Sequence, residues 1–584
     1  MPQLYQNQSL PCQRKNLINF YMPSLLPTSN ISSIENHIRF YRSALKSNLE
    51  VTIHSLSASH LKMHSLLHPF GANQKEVDFS ALVYSLNRLP KIIDETKKII
   101  LGQNPEIFEE AGYKNVNKWK EVKAKSRRRV AYFNSQKNIL AYFIASISDI
   151  DDLTNTLITL QTEWNKFNQL LHKYYSLYSL FKKDLESDKF YKKFKVSQKD
   201  WQTFISSLGP NWDKKLKKIY KSSLNLKIQL LSASWLNYTK STQKWWKNIA
   251  TTVAPAFHIS HQEIYFVSSN THSLLNAFTG FPLAHQFEIL SNLKTEHPSL
   301  YQIWTQIQSK ESLLNPNDFI YFASKYFLSQ KEYKAEFIEA QKKLGILTIP
   351  NANYLDITAQ IFPIKNLVKS KYLDPRLKIK NHLKIEKSNA LIFNVDYPLG
   401  FSAYHLLAEV MENVKNIKGV YILGKAAALN SEVGDIQIPR LVFDEHTQNS
   451  YLFKNCFSDF FPYTNNQGSI LTNQKAVSVL GTFLENKALL NYYFKNNITV
   501  IEMESGPYLS AVTESCYDQQ SPKNTIVDLN NCPFDLGIIN YTSDTPYSSL
   551  QNLGNNELGI NGIEPVTLGS LAILQRIINI EENK

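Results

Sequence analysis

Charge and glycine are divided at one point in this chain, close to residue 250, and that division limits the folds open to it. Residues 1 to 250 carry 38 Lys or Arg against 19 Asp or Glu, a net charge of +19, whereas residues 251 to 584 carry 26 against 31, a net of −5. Four glycines (Gly71, Gly102, Gly112, Gly209) precede the break and fourteen follow it. Long Lys, Leu and Tyr stretches with little glycine favour helices, while scattered Gly and Pro favour strands and tight turns. At 584 residues there is room for two or more domains with cores of their own, so a disulfide-stapled miniprotein is excluded. With 43% hydrophobic and 20% charged residues, neither a disordered nor a collagen-like chain fits.

The front part reads as mostly helical. From Asp151 to Phe181, Leu153, Leu157, Leu160, Trp164, Phe167, Leu170 and Leu171 recur in steps of three and four, which puts them on one helix face. Two basic clusters stand out: Lys214, Lys215, Lys217, Lys218 and Lys221 after Trp212, and Ser126-Arg127-Arg128-Arg129. Either could meet the phosphates of a nucleic acid. No nucleic-acid-binding motif accompanies them, so both are taken as solvated surface in a lysine-rich protein.

Behind the break the pattern changes. Gln262 to Val267 is a β-rich run, Ser268-Ser269-Asn270-Thr271-His272 supplies helix N-cap formers, and Ser273 to Phe278 is helical. Such a βα corner is where α/β enzymes place ligand contacts, which makes His272 a candidate for orienting a nucleophile; a plain capping loop is the alternative. Residues from about 285 to 385 look helical again, with Ile303, Ile307, Phe319, Phe322, Tyr326 and Phe327 spaced for packing, and read as an insertion. After residue 385, the strand candidates Ala390–Val395, Val420–Leu423, Ile436–Val442, Thr499–Ile501 and Leu536–Tyr541 alternate with helical runs. That alternation argues an α/β sheet flanked by helices.

Cys12, Cys456, Cys516 and Cys532 form no C-x-x-C pair, and no Asp, Glu or His set has metal-ligand spacing. The apolar run Ile139–Ile147 is far shorter than the ~20 residues of a membrane span. The first residues, MPQLYQNQSLPCQRK, have no apolar stretch of the kind a signal peptide carries. A cytoplasmic protein without metal, cofactor or membrane partner is expected.

Four segments of the last 200 residues resemble, in order, the signature stretches of the purine nucleoside phosphorylase and nucleosidase superfamily. They are Asn394-Val395-Asp396-Tyr397-Pro398-Leu399-Gly400; Leu423-Gly424-Lys425-Ala426-Ala427-Ala428-Leu429 followed by Val433-Gly434-Asp435-Ile436; Val500-Ile501-Glu502-Met503-Glu504-Ser505; and Tyr541-Thr542-Ser543-Asp544. Breaking an N-ribosidic bond builds positive charge on the sugar and negative charge on the departing base, so an acid must meet the base and a carboxylate the ribose hydroxyls. The resemblance implies Glu504 for the hydroxyls, Met503 against the sugar, and Asp544 as general acid toward a purine, with Ser543 beside it. Glu502 is counted with the substrate-binding residues, and either helps hold the pocket or only pairs with a neighbouring basic side chain. Gly424 and Lys425 stand in the family's Gly-rich turn, where Lys425 could meet a 5′-phosphate.

The departures bear on the nucleophile. Phosphorylases of this superfamily hold phosphate with arginines and a hydroxyl residue in that turn, because a dianion wants several charge-assisted donors. Here lysine replaces the hydroxyl residue, and only Arg376, Arg440 and Arg576 follow residue 250. Water is therefore the expected nucleophile, with phosphate a possible co-substrate. Ser543-Asp544-Thr545-Pro546 and the large front region look most like the AMP nucleosidases.

The expected architecture is an α/β domain over 251–584, a phosphorylase-like mixed sheet flanked by helices with a helical insertion at about 285–385, preceded by a basic, mostly helical domain over 1–250. The expected activity is cleavage of a purine nucleoside or nucleotide by a homo-oligomeric enzyme. A domain of the same build that has lost turnover and senses nucleotides, or associates with nucleic acid, is the alternative.

Overall fold

A computed structural model describes residues 28–176, 188–350, 354–459, 461–464, 468–517, 521–546 and 562–584. Its strands, numbered in chain order, fall into two sheets. The first contains β1 (Val51–Thr52), β2 (Lys98–Gly102), β3 (Lys120–Val122), β4 (Ala131–Asn134), β5 (Ile139–Phe143) and β6 (Lys227–Leu230), in the order β1-β6-β2-β5-β4-β3. Helices dominate the front of the chain, as its composition suggests, but this six-stranded sheet is an addition to that reading. Its central strand β2 runs parallel to both β5 and β6. Strands β2 and β5 are buried on both faces, so they read as short apolar runs without alternation, which periodicity cannot separate from a piece of buried helix.

The longest front helix, Ile147–Tyr174, buries Leu153, Leu157, Leu160, Trp164, Phe167, Leu170 and Leu171 along one side. It starts at Ser146 in a capping box closed by Asp149. The helix ends at Tyr174, before Tyr175 in an extended conformation, short of the expected Phe181; residues 177–181 lie outside the described residues. The lysine run sits on helix Trp212–Lys221, whose Leu216 and Ile219 are buried; Lys214 and Lys221 are exposed, while Lys215 and Lys218 are half-buried and pair with Asp94.

The second sheet has eleven strands: β7 (Glu263–Ser268), β8 (Leu347–Ile349), β9 (Ala359–Pro363), β10 (Leu391–Val395), β11 (Asn416–Ala428), β12 (Ile436–Asp444), β13 (Asn449–Leu452), β14 (Ile470–Ser478), β15 (Val500–Glu502), β16 (Ile526–Asp528) and β17 (Asp535–Asp544). It is mixed: β7 pairs in parallel with β10 and β11, and β10 pairs antiparallel with β9. Side chains alternate across it. Ile264, Phe266, Phe393 and Ile422 face a core with helices Trp235–Val253, Ser402–Asn413 and Ser505–Tyr517, while Tyr265, Val267, Ile392 and Leu423 face one with helices Ser273–Thr279 and Ile563–Asn583. This is an α/β fold, a mixed sheet flanked by helices.

Two details differ from the sequence reading. The segment read as helical from about 285 to 385 is interrupted after Lys343: β8 and β9 follow and extend the sheet edge, before the short helical turns Ile364–Lys369 and His382–Lys387. All five residues of β9, Ala359-Gln360-Ile361-Phe362-Pro363, are buried, so no polar face marks them as strand. The composition break at residue 250 falls inside helix Trp235–Val253, whose Trp245, Trp246 and Ile249 pack on the second sheet.

One apolar core joins the two parts of the chain. The front residues Leu56, Leu82, Leu153 and Leu157 belong to the same cluster as Val477, Phe483, Leu490, Tyr493, Ile501 and Met503. Among the described residues no helix is long and apolar enough to cross a membrane.

Candidate functional site

Three neighbouring strands bring the motifs together. β11 runs parallel to β17, with Lys425 opposite Tyr541 and Ala426 opposite Thr542; an irregularity then sets Ala427 opposite Asp544. On its other edge, β11 pairs antiparallel with β15 through Ala427–Ile501 and Ala428–Val500. Gly424 and Lys425, Glu502 to Glu504, and Ser543 and Asp544 thus share one end of the sheet, and all seven line one cavity of about 310 Å³. That volume suits a small organic ligand.

Each acidic group is held differently. Glu502 turns inward: Oε2 accepts from the backbone N–H of Glu504 at 2.7 Å and of Ser505 at 2.6 Å, and Oε1 accepts from the Ser478 hydroxyl. Its carboxyl therefore shapes the turn into helix Ser505–Tyr517. Glu504 accepts from Gly400 N–H at 3.0 Å through Oε1. Burial, reinforced by the neighbouring Glu502 charge, pushes the Glu504 carboxyl up to about 7. Ser543 donates to Asp544 Oδ2 at 2.6 Å, which orients the Asp544 carboxyl. Burial and the cations Arg88 and Arg127 draw the Lys425 ammonium below its ordinary range, while Asp544 and Glu504 act in the opposite direction.

The Gly400 loop is fixed from two sides. Gly400 adopts φ +51°, and a Cβ there would lie 2.4 Å from Ser148 Oγ. The next residue, Phe401, donates its N–H to that same hydroxyl at 3.0 Å. Asp396 pairs with Arg128, and Tyr397, Pro398 and Leu399 line the cavity.

The cavity is also lined by the front of the chain. Tyr84, Arg88 and the whole Ser126-Arg127-Arg128-Arg129 cluster form part of its wall, which corrects the reading of that cluster as solvated surface. Arg129 bridges Asp149 and Asp152 at 2.6 Å each, and Arg127 reaches Asp152 at 3.2 Å. Four of the ten arginines in the chain thus sit at one cavity. Their scarcity among so many lysines was the available signal for the triplet; Arg88, isolated in Asn87-Arg88-Leu89, offered none.

His272 is not among the lining residues. It is exposed, and its N–H and that of Ser273 donate to Asn270 Oδ1 at 3.0 and 2.7 Å, the capping loop named as the alternative. Ser269 donates to Asn394 Oδ1 at 2.8 Å, which ties β7 to β10. His405 and His446 line a second cavity of about 480 Å³ together with Phe401. Among the described residues no group of three or more His, Cys, Asp or Glu is placed to hold a metal ion.

The model of a family of unknown function, DUF6909, matches residues 53–579, across the break at residue 250. No curated protein matches the chain. Among solved structures, it is similar to uridine phosphorylase from Schistosoma mansoni in complex with thymidine, at 11% identity and a TM-score of 0.27, over 42% of this chain and 81% of that one. It is similar to the 5′-methylthioadenosine/S-adenosylhomocysteine nucleosidase of S. pneumoniae with a transition-state inhibitor, at 12% identity and a TM-score of 0.27, over 39% and 90%. It is also similar to S-adenosylhomocysteine nucleosidase from Streptococcus pyogenes, at 10% identity and a TM-score of 0.29, over 55% and 99%.

Proposed function

We propose that this chain, which belongs to the family of unknown function DUF6909, cleaves the N-glycosidic bond of a purine nucleoside or nucleotide with water as the nucleophile. The observation that carries this reading is the convergence of Glu504, Met503 and Asp544 on one cavity. Two carboxyl groups with separate tasks are what the chemistry demands. Glu504 accepts hydrogen bonds from the ribose hydroxyls and steadies the growing positive charge on the sugar. Met503 packs against the ribose face. As the bond from C1′ to the base nitrogen breaks, its electron pair leaves with the base and Asp544 supplies the proton that neutralises it. The water oxygen bonds to C1′, and the proton it sheds restores Asp544. Ser543 holds the Asp544 carboxyl in place, and Glu502 positions Glu504 through the backbone rather than touching substrate.

The arginines at the cavity favour a second reading, in which inorganic phosphate replaces water and the sugar leaves as its 1-phosphate. A panel of purine and pyrimidine nucleosides and nucleotides, with and without phosphate and read out by free base, separates the two. Base release without phosphate is the expected result, with Asp544→Asn slowing it about 10²- to 10⁴-fold. A strict phosphate requirement replaces hydrolysis by phosphorolysis. Absence of base release across the whole panel removes the enzyme reading and leaves a nucleotide-binding protein.

A further inference from the structure

We infer that Cys516 and Cys532 form a reversible redox pair, which takes a low-molecular-weight disulfide such as glutathione disulfide as its oxidant and closes to a protein disulfide. Their sulfurs lie 3.6 Å apart. A disulfide bond is about 2.05 Å long, so closure asks each sulfur to move by less than about 1 Å. Cys516 stands in the last turn of helix Ser505–Tyr517, and Cys532 closes a turn in which its N–H donates to the Leu529 carbonyl at 3.2 Å.

Both stretches of backbone are already held beside each other. The Tyr517 hydroxyl donates to the Asp528 carbonyl, which docks the end of the helix on the segment leading to Cys532. Leu509 and Val512 of the helix and Val527 and Leu529 of that segment are buried in one core, and the two cysteines pack against it. Cys516 and Cys532 are themselves half-buried between the exposed neighbours Ser515, Tyr517, Asn531 and Pro533, so a small solute reaches them. With Cys532 as donor, their hydrogen bond draws the Cys516 thiol below its ordinary range, which makes Cys516 the attacking sulfur. Burial, then the Asp535 charge, pushes the Cys456 thiol well up, which takes it out of such chemistry.

The Cys516 thiolate attacks one sulfur of the small disulfide, whose S–S bond breaks and releases one thiolate. The Cys532 thiolate then attacks the Cys516 sulfur of the mixed disulfide, the protein S–S bond forms, and the second small thiolate leaves. The two protons given up by the cysteines end on the two released thiols, and two electrons pass from the protein to the small disulfide. The new bond joins the far ends of the two elements that carry the proposed carboxylates. Helix Ser505–Tyr517 begins directly after Glu504, and β17, which starts shortly after Cys532, ends on Asp544. Neither cysteine lines the cavity, so the bond fastens its frame without occupying it.

The test uses the full chain, equilibrated in glutathione buffers of rising disulfide content and quenched with acid. Expected are an intact mass lower by two hydrogens, two of the four cysteine thiols left to titrate in denaturant, a Cys516–Cys532 cross-linked peptide in the digest, and full reversal by excess reduced glutathione. Amide exchange at Glu514 to Tyr517 should slow at least tenfold in the oxidised protein. Cys532→Ser should stop at a glutathione adduct on Cys516, and Cys516→Ser should take up glutathione on Cys532 at least tenfold more slowly. Four thiols remaining at every buffer ratio, a glutathione adduct that persists on Cys516 of the unsubstituted chain, or a bond from either cysteine to Cys12 or Cys456 overturns the pair. Unchanged amide exchange overturns the fastening. None of these readouts involves base release, so failure of the proposed activity leaves the pair standing, and failure of the pair leaves the activity.

Discussion

At the scale of single residues, Glu504 is the group whose protonation matters most. Its carboxyl titrates near 7 in the folded chain against an ordinary value of 4.5, because burial and Glu502 disfavour the charge. The folded state therefore binds the proton more tightly than the unfolded state does. The associated stability is fully present below about pH 4.5 and is lost as the pH rises through 7. Glu504→Gln removes that burden while keeping an acceptor for Gly400 N–H. Thermal melts should show the variant level with the parent at pH 4.5 and more stable at pH 8, by up to about 3 kcal/mol. Catalysis has the opposite demand. If the ionised carboxylate holds ribose, kcat/KM should climb through about pH 7, and the glutamine variant should show a low activity without that limb.

The element that links the sugar-facing carboxylate to the front of the chain is the loop 396–402. Gly400 leaves no room for a side chain: a Cβ would press on Ser148 while φ is positive. Gly400→Ala should cost about 1 to 3 kcal/mol in denaturant unfolding. It should also raise KM, because the N–H that fixes Glu504 moves with the backbone; an unchanged KM would mean that the loop does not set the carboxylate. The strands behind this loop were legible in the sequence, since β10, β11 and β17 contain apolar runs that lead into the motif residues Asp396, Lys425 and Asp544. The approach of Ser148 to Gly400 was not legible, because a contact between residues so distant leaves no local pattern. Nor was the first sheet, whose central strands β2 and β5 lack alternation. The triplet Arg127-Arg128-Arg129 was visible as charge, but whether an arginine meets solvent or a cavity is decided by what packs opposite it. Here that is Asp396 and the β11 end, which composition does not reveal.

Across the whole molecule, the shared core makes the two parts of the chain interdependent. Phe483, Leu484, Leu490 and Tyr493 are buried against front residues such as Leu56, Tyr84 and Leu153. A chain beginning at residue 251 would expose that surface to water, at roughly 1.5 to 3 kcal/mol for each large apolar side chain. Calorimetry of the full protein should therefore give a single unfolding transition over the two sheets, and residues 251–584 expressed alone should aggregate. Two well-separated transitions, or a soluble, folded 251–584 fragment, would show the composition break to be a true domain boundary.

The bond between Tyr84 and Thr482 spans 398 residues. On a ribosome, the front helices emerge long before the segment that covers their apolar side, and at about 5 to 20 residues per second that interval lasts tens of seconds. Throughout it, the nascent chain presents a greasy face, and Arg128 waits for Asp396. Chaperone demand during synthesis is thus written into the same long-range contacts that finish the cavity.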